Sequence, residues 1–383
     1  MRSGYSPDKS LSAQGLDKRF TQKAADFVKS MLEEALCEAI QAKKSVDIEI
    51  LNRFTHVYVA DGSVIVLPDE LRELWQGSGG THGSSHSAIK LDTCIELKTG
   101  RLQCGLMQGK SSDNRNPLAN AEYEAGSLRL QDLGYFNLER MKQQAARGEY
   151  WISRYQINTA IYDKQGLPVD LSSLLYSLKQ AGVTQYECPV ELGVKTRLSA
   201  RLLLAALPEE AAARSRAKMK ENASKQGRTA TQASLALCDW KILITNVEPE
   251  RLSLKDCLLL YSVRWQIELL FKFWKSHGKL GHSNSANPWR RLCELYVKLL
   301  IVVVQHWIFL TGLWDIPERS LIKGGQMIKE QAARLAACIN NIDDLTQLLQ
   351  ELAQRFQVGC RQNTRKNHPN TWRQLLDGVY VFS

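Results

Sequence analysis

Four side chains between Tyr261 and Lys275 are of the types that handle phosphate: Tyr261, Arg264, Glu268 and Lys275. The stretch reads Tyr-Ser-Val-Arg-Trp-Gln-Ile-Glu-Leu-Leu-Phe-Lys-Phe-Trp-Lys, and neither it nor its lead-in from Leu254 contains Gly or Pro. Its dense apolar residues predict one long, mostly buried helix. At about 100° per residue the four project at roughly 0°, 300°, 340° and 320°, a stripe about 60° wide. A carboxylate flanked by two cations and a phenol suits a metal-bound phosphate: the Glu holds the cation and the others grip phosphate oxygens. Taken alone, Arg264 and Glu268 are also an ordinary i,i+4 ion pair, Lys275 a solvated charge and Tyr261 the edge of a core.

Metal chemistry on phosphate needs further carboxylates, so the elements upstream matter. Residues 55–61 (THVYVAD) predict a strand ending at Asp61-Gly62-Ser63, a common turn signal. Two strands follow, about 88–97 and 101–107, joined by a turn at Lys98-Thr99-Gly100. A short strand at 128–131 ends at Asp132, followed by a helix at 137–147 and a strand at 150–157. Asp132 therefore has the same position as Asp61, at a strand end. In α/β folds, ligands meet the sheet at such places.

Residues 161–247 interrupt this pattern. They predict a helix at 171–180 closed by Gly182 and strands near 185–192, 196–204 and 235–246. Between them lies a basic run with Arg214, Arg216, Lys218, Lys220 and Lys225, a solvated helix face or a phosphate contact. The segment Trp240–Asn246 returns the chain to the core before the Glu268 helix. The expected organisation is an N-terminal helical segment (1–46), a first part of the core (47–160), the insertion (161–247), the second part of the core (248–320) and a C-terminal helical region (321–383).

The spacing Y-x2-R-x3-E-x6-K resembles the glutamate helix of the bacterial insertion-sequence transposases of the IS-four group. The likeness runs over roughly residues 47–315, in VYVADGSVIVLPDELRELWQGSGG, LRLQDLGYF and WKILITNVEPERLSLKDCLLLYSVRWQIELLFKFWKS. The resemblance implies a ribonuclease-H-like α/β fold: a mixed five-stranded sheet with helices, interrupted by a β-rich insertion before the Glu268 helix. It implies that Asp61, Asp132 and Glu268 bind two Mg²⁺ or Mn²⁺ ions as the catalytic triad. Hard oxygen donors suit those ions and not zinc. It implies that Tyr261, Arg264 and Lys275 contact phosphates of the transposon end. Trp240 would stack on a flipped base; its plain alternative is a strand-edge aromatic in the core.

The reaction implied is cleavage at the terminal inverted repeats, hairpin-type excision and strand transfer into target DNA, by a homodimer in a synaptic complex. The alternatives are a ribonuclease-H-like nuclease that cuts without joining and a transposase-derived DNA-binding protein without activity. About sixty residues precede Asp61, fewer than the family usually carries, which points to a shortened end-binding region.

Composition agrees with such a reading without requiring it. The 383 residues are 44% hydrophobic and 23% charged, with formal net charge +10, which favours a polyanionic partner. Nine scattered cysteines, with no CxxC, predict reduced thiols in a cytoplasmic protein. The apolar run 295–314 includes Lys298, Gln305 and His306 and predicts a buried core helix, not a membrane span. His82 and His86 lie on a Gly/Ser loop, where they make a poor metal site.

Overall fold

A computed structural model describes residues 12–79, 86–363 and 370–381; His82 lies outside them. Nine strands form one sheet: β1 (Val57–Val66), β2 (Ala88–Glu96), β3 (Leu102–Gln108), β4 (Leu128–Gln131), β5 (Tyr150–Arg154), β6 (Ile161–Tyr162), β7 (Gln185–Leu192), β8 (Leu198–Ala206) and β9 (Trp240–Thr245). Their order is β3-β2-β1-β4-β5-β9-β8-β7-β6. The first five strands of that order are the mixed sheet expected: β1, β4 and β5 are parallel, β2 and β3 antiparallel. The insertion's strands continue the sheet, because β9 pairs antiparallel with β5 on one side and β8 on the other. The sheet therefore has nine strands, where five plus a separate β-rich unit were expected.

Two apolar cores use opposite faces of the same strands. Ile152, Leu203 and Leu243 belong to the larger core, which also contains Val57, Val59, Leu128, Leu130 and the Glu268 helix. Their chain neighbours Trp151, Leu202, Leu204 and Ile244 belong to a second core with Met141, Leu175 and Trp240. Successive side chains on a strand point to opposite faces, so residues one apart serve different cores. That alternation decides which residues of β9 can reach the Glu268 helix.

Three local expectations are corrected. β1 does not stop at Asp61: it pairs with β2 from Tyr58↔Glu96 to Val66↔Ala88, with Asp61 opposite Thr93. The apolar run Val64-Ile65-Val66 keeps the ladder going through the Asp-Gly pair. Residues Gln232–Leu237 form a helix capped by Thr231, so the strand expected over 235–246 begins only at Trp240. The long helix is two, Leu254–Val263 and Trp265–Ser276, with Arg264 at the joint. Arg264 N–H donates to Tyr261 O, and Ile267 N–H to Arg264 O, so the i→i−4 pattern tightens to i→i−3 there. Ser253 starts the first segment with a capping box to Asp256.

All nine cysteines are free thiols. The helix Pro288–Phe309 is long and apolar enough to cross a membrane, yet half of its most apolar window is buried inside the protein. Within it His306 is 1% exposed and bonds Gly100 O at 2.7 Å. Burial pushes its imidazole down to about 4, so it is neutral.

Candidate active site

The two aspartates come together through strand register. β1 and β4 pair in parallel as Val57↔Leu128 and Val59↔Leu130. Continuing both strands by two residues sets Asp61 beside Asp132, on the face of Val59 and Leu130. Asp132 immediately follows the last residue of β4 and sits ahead of the short turn Leu133–Tyr135. Pairing of β1 with β4 ends at Val59, so Asp61 and Asp132 lie where the two strands part. They are at a point of divergence, although only Asp132 is at a strand's end.

Arg264 joins the aspartates to the glutamate. Its guanidinium donates to Glu268 Oε1 at 2.6 Å and lies 3.8 Å from Asp61 Oδ2. Burial works against its charge, but Tyr261, Asp132 and Glu268 outweigh that, and its pKa is raised. Asp61 is pushed up to about 6, chiefly by burial, with Asp132 and Glu268 adding repulsion. The Gly62 N–H, 2.8 Å from Asp61 Oδ1, and the Arg264 guanidinium pull the other way. The three carboxylates therefore feel one another around a single guanidinium.

Among the described residues, no three His, Cys, Asp or Glu side chains stand close enough together to hold one metal ion. The donor set nevertheless fits a hard divalent cation. It consists of carboxylate oxygens alone, it carries excess negative charge, and a cationic group already lies against two of its members.

Of the other expected residues, Tyr261 is 4% exposed and its Oη makes no hydrogen bond of good geometry, with Arg264 beside it. Lys275 reaches β1, donating to Val64 O at 3.1 Å. Burial lowers its pKa. Trp240 is elsewhere: it is 6% exposed and packed in the insertion's core, the opposite face from the Glu268 helix. The plain alternative weighed for it, a strand-edge aromatic in a core, describes its position in this conformation.

Three groups beside the site escaped the sequence reading. Lys241, next to Trp240, projects to the other face and sits 5.3 Å from the Tyr261 ring centroid. Arg154, the last residue of β5, raises the local positive charge felt by Lys241 and Tyr261. A signal for Lys241 was present, a lone cation in the strand WKILIT. The third is Asp113, bonded to Lys90 at 2.8 Å and wedged between Gly62 and Gly134. A Cβ at Gly62 would meet Asp113 Oδ1 at 2.6 Å, and one at Gly134 would meet Oδ2 at 2.7 Å. Glycine at both positions lets this clasp pack against the backbone that carries Asp61 and follows Asp132.

Carboxylates near the parting of two parallel strands, with the Arg264 guanidinium against two of them, in a mixed α/β fold, are an arrangement suited to phosphoryl transfer. The sequence profile of the transposase DDE domain matches residues 52–304, about two thirds of the chain, and the chain belongs to this family. It is 28% identical to the transposase of insertion sequence IS231F from Bacillus thuringiensis subsp. israelensis, over 97% of this chain and 82% of the relative. It is 29% identical to the transposase of IS1151 from Clostridium perfringens, over 79% of this chain and 67% of the relative. The large mixed sheet with its helices fits the fold of that family.

Proposed function

We propose that this chain is an insertion-sequence transposase that binds its element's terminal inverted repeats, cuts them by a two-metal-ion reaction, excises through a hairpin and joins the free end to target DNA. The observation that carries the reading is the gathering of Asp61, Asp132 and Glu268 around Arg264, in a chain that matches the family over residues 52–304. Asp61, Asp132 and Glu268 would hold Mg²⁺ or Mn²⁺ ions, which when bound activate a hydroxyl nucleophile and stabilise the leaving oxygen. Asp61 suits that role, because a bound cation offsets both the burial that chiefly raises its pKa and the smaller repulsion from Asp132 and Glu268.

The protein's own part is to grip and orient the DNA backbone. Arg264 presents a guanidinium whose planar fork matches phosphate oxygens. The Tyr261 hydroxyl, buried beside Arg264, has a donor to offer the same phosphate. Lys275, tied to β1 by Val64 O, brings a second cation to the strand that carries Asp61. The burial of Trp240 leaves it outside this set. A homodimer acting on paired ends, in the bacterial cytoplasm, completes the proposal.

The test is Glu268→Gln assayed with Mg²⁺ and a duplex carrying the inverted repeats that flank the gene. Wild type should nick and join, and the variant should bind the duplex without cutting it. Cutting without joining by wild type would favour a nuclease, and binding without cutting a DNA-binding protein. Undiminished cleavage by the variant would falsify the assignment of Glu268.

A further inference from the structure

Lys241 stands beside the acidic centre with no negative group of its own. It lies on β9, opposite Ala205 of β8, and strand alternation turns it to the side of the Glu268 helix. Its Nζ sits over the Tyr261 ring, 5.3 Å from the centroid. Its charged neighbours are Arg154 and Arg264, both cations. Among the described residues, neither Lys241 nor Arg154 makes an ion pair, whereas Arg264 is engaged with Asp61 and Glu268. Lys241 is half-buried and Arg154 exposed, and an ammonium held among like charges gains from an anion that balances it.

We infer that Lys241, with Arg154 beside it, is a binding site for a DNA backbone phosphate on the β9 side of the active site, separate from the contact made by Lys275. This rests on the DNA-processing function proposed above. Two neighbouring cationic groups, neither in an ion pair among the described residues, suit a monoanionic phosphodiester. Burial together with Arg154 and Arg264 lowers Lys241 to about 8, as an unmet demand for a counterion would. Phosphate arrival supplies that counterion. Lys275 reaches β1 instead, so the two lysines attach to different strands and would hold different phosphates.

The experiment measures binding of the full chain to a fluorescent duplex carrying its element's terminal repeats, across a range of salt concentrations. The proteins are wild type, Lys241→Gln and Lys241→Arg, each checked by circular dichroism and melting. Lys241→Gln should lower the slope of log affinity against log salt by about 0.9, the value of one phosphate contact. It should weaken binding roughly tenfold, while Lys241→Arg keeps the wild-type slope. If Lys241→Gln does not fold, Lys241→Met, which keeps the apolar stem, takes its place.

An unchanged slope and affinity on loss of the charge, even with a shifted melting temperature, would make Lys241 a packing residue and overturn the inference. Glu268→Gln in the same series separates the two claims. If wild type cleaves, Glu268→Gln does not, and Lys241→Gln binds like wild type, the Lys241 site alone is refuted. If wild type neither binds nor cuts the duplex, the DNA-processing function is refuted and the Lys241 site with it.

Discussion

Replacing Asp61 by Asn should make the metal-free protein more stable at neutral pH while making it useless as a metal ligand. The folded protein holds the Asp61 carboxyl at about 6 against 3.8 for the free group. A carboxyl with a raised pKa binds its proton more tightly in the folded state, so its contribution favours folding at low pH. Stability is then lost as pH rises from about 3.8 to about 6, and the penalty is constant above that. The difference between those values is worth about 3 kcal/mol at 25 °C, an upper figure since the side chain is 21% exposed. Unfolding entropy of about 2.1 cal/mol/K per residue over 383 residues makes 1 kcal/mol equal to roughly 1.2 °C in Tm.

Asp61→Asn, melted in EDTA at pH 7.5, should therefore rise by up to about 3–4 °C over wild type. Near pH 4 the two should approach each other, because wild-type Asp61 is then largely protonated. Adding Mg²⁺ at pH 7.5 should raise wild type and leave the Asn variant nearly unmoved. The asparagine keeps an oxygen for the Gly62 N–H, so that bond does not confound the comparison. A variant that melts below wild type at pH 7.5, or a gap that does not shrink toward pH 4, would refute the idea that burial, aided by the neighbouring carboxylates, raises Asp61.

Gly62→Ala should cost about 1–3 kcal/mol, because its Cβ would press on an Asp113 carboxylate held by Lys90; melting at the wild-type temperature would contradict the clasp. Arg129→Met should cost about 3 kcal/mol in urea unfolding. It leaves the fully buried Glu149 with Arg147 as its one cation and the Tyr123 N–H, without the 2.6 Å bond from Arg129 Nε. An Arg129→Met midpoint equal to wild type would show that Arg147 suffices. Lys275→Ala should reduce the salt slope of DNA binding by about 0.9, and a slope equal to wild type would return Lys275 to a structural role at Val64 O.

The types of the expected site residues were more legible in the sequence than their placement. Asp132 was readable because β4 is short, alternates Leu with polar residues and is followed at once by the turn Leu133–Tyr135. Asp61 was read as a turn residue, since an Asp-Gly pair carries that signal locally. Only the ladder to β2, a contact between residues about thirty apart, reveals that the strand runs on to Val66. The break at Arg264 had no signal, as neither Gly nor Pro is there. The three-residue bonds that tighten the joint accompany an ion network that periodicity does not register. Trp240 and Lys241 show the limit of type without orientation: the aromatic drew notice, but strand alternation turns its neighbour to the acidic side. Pairing of β9 with β5 was equally out of reach, since nothing in either segment names its partner.

That pairing makes the insertion non-modular. β9 is stitched to β5 through Ile152↔Thr245, Ser153↔Ile244 and Arg154↔Leu243, and to β8 along its whole length. An engineer trimming residues 161–247 to obtain a minimal nuclease would pull out the plank between the two halves. β5 would be left as a bare, sticky margin, open to stacking with other copies. Trp151 would lose the second core that covers it. The insertion is a structural part of the sheet, not a removable module.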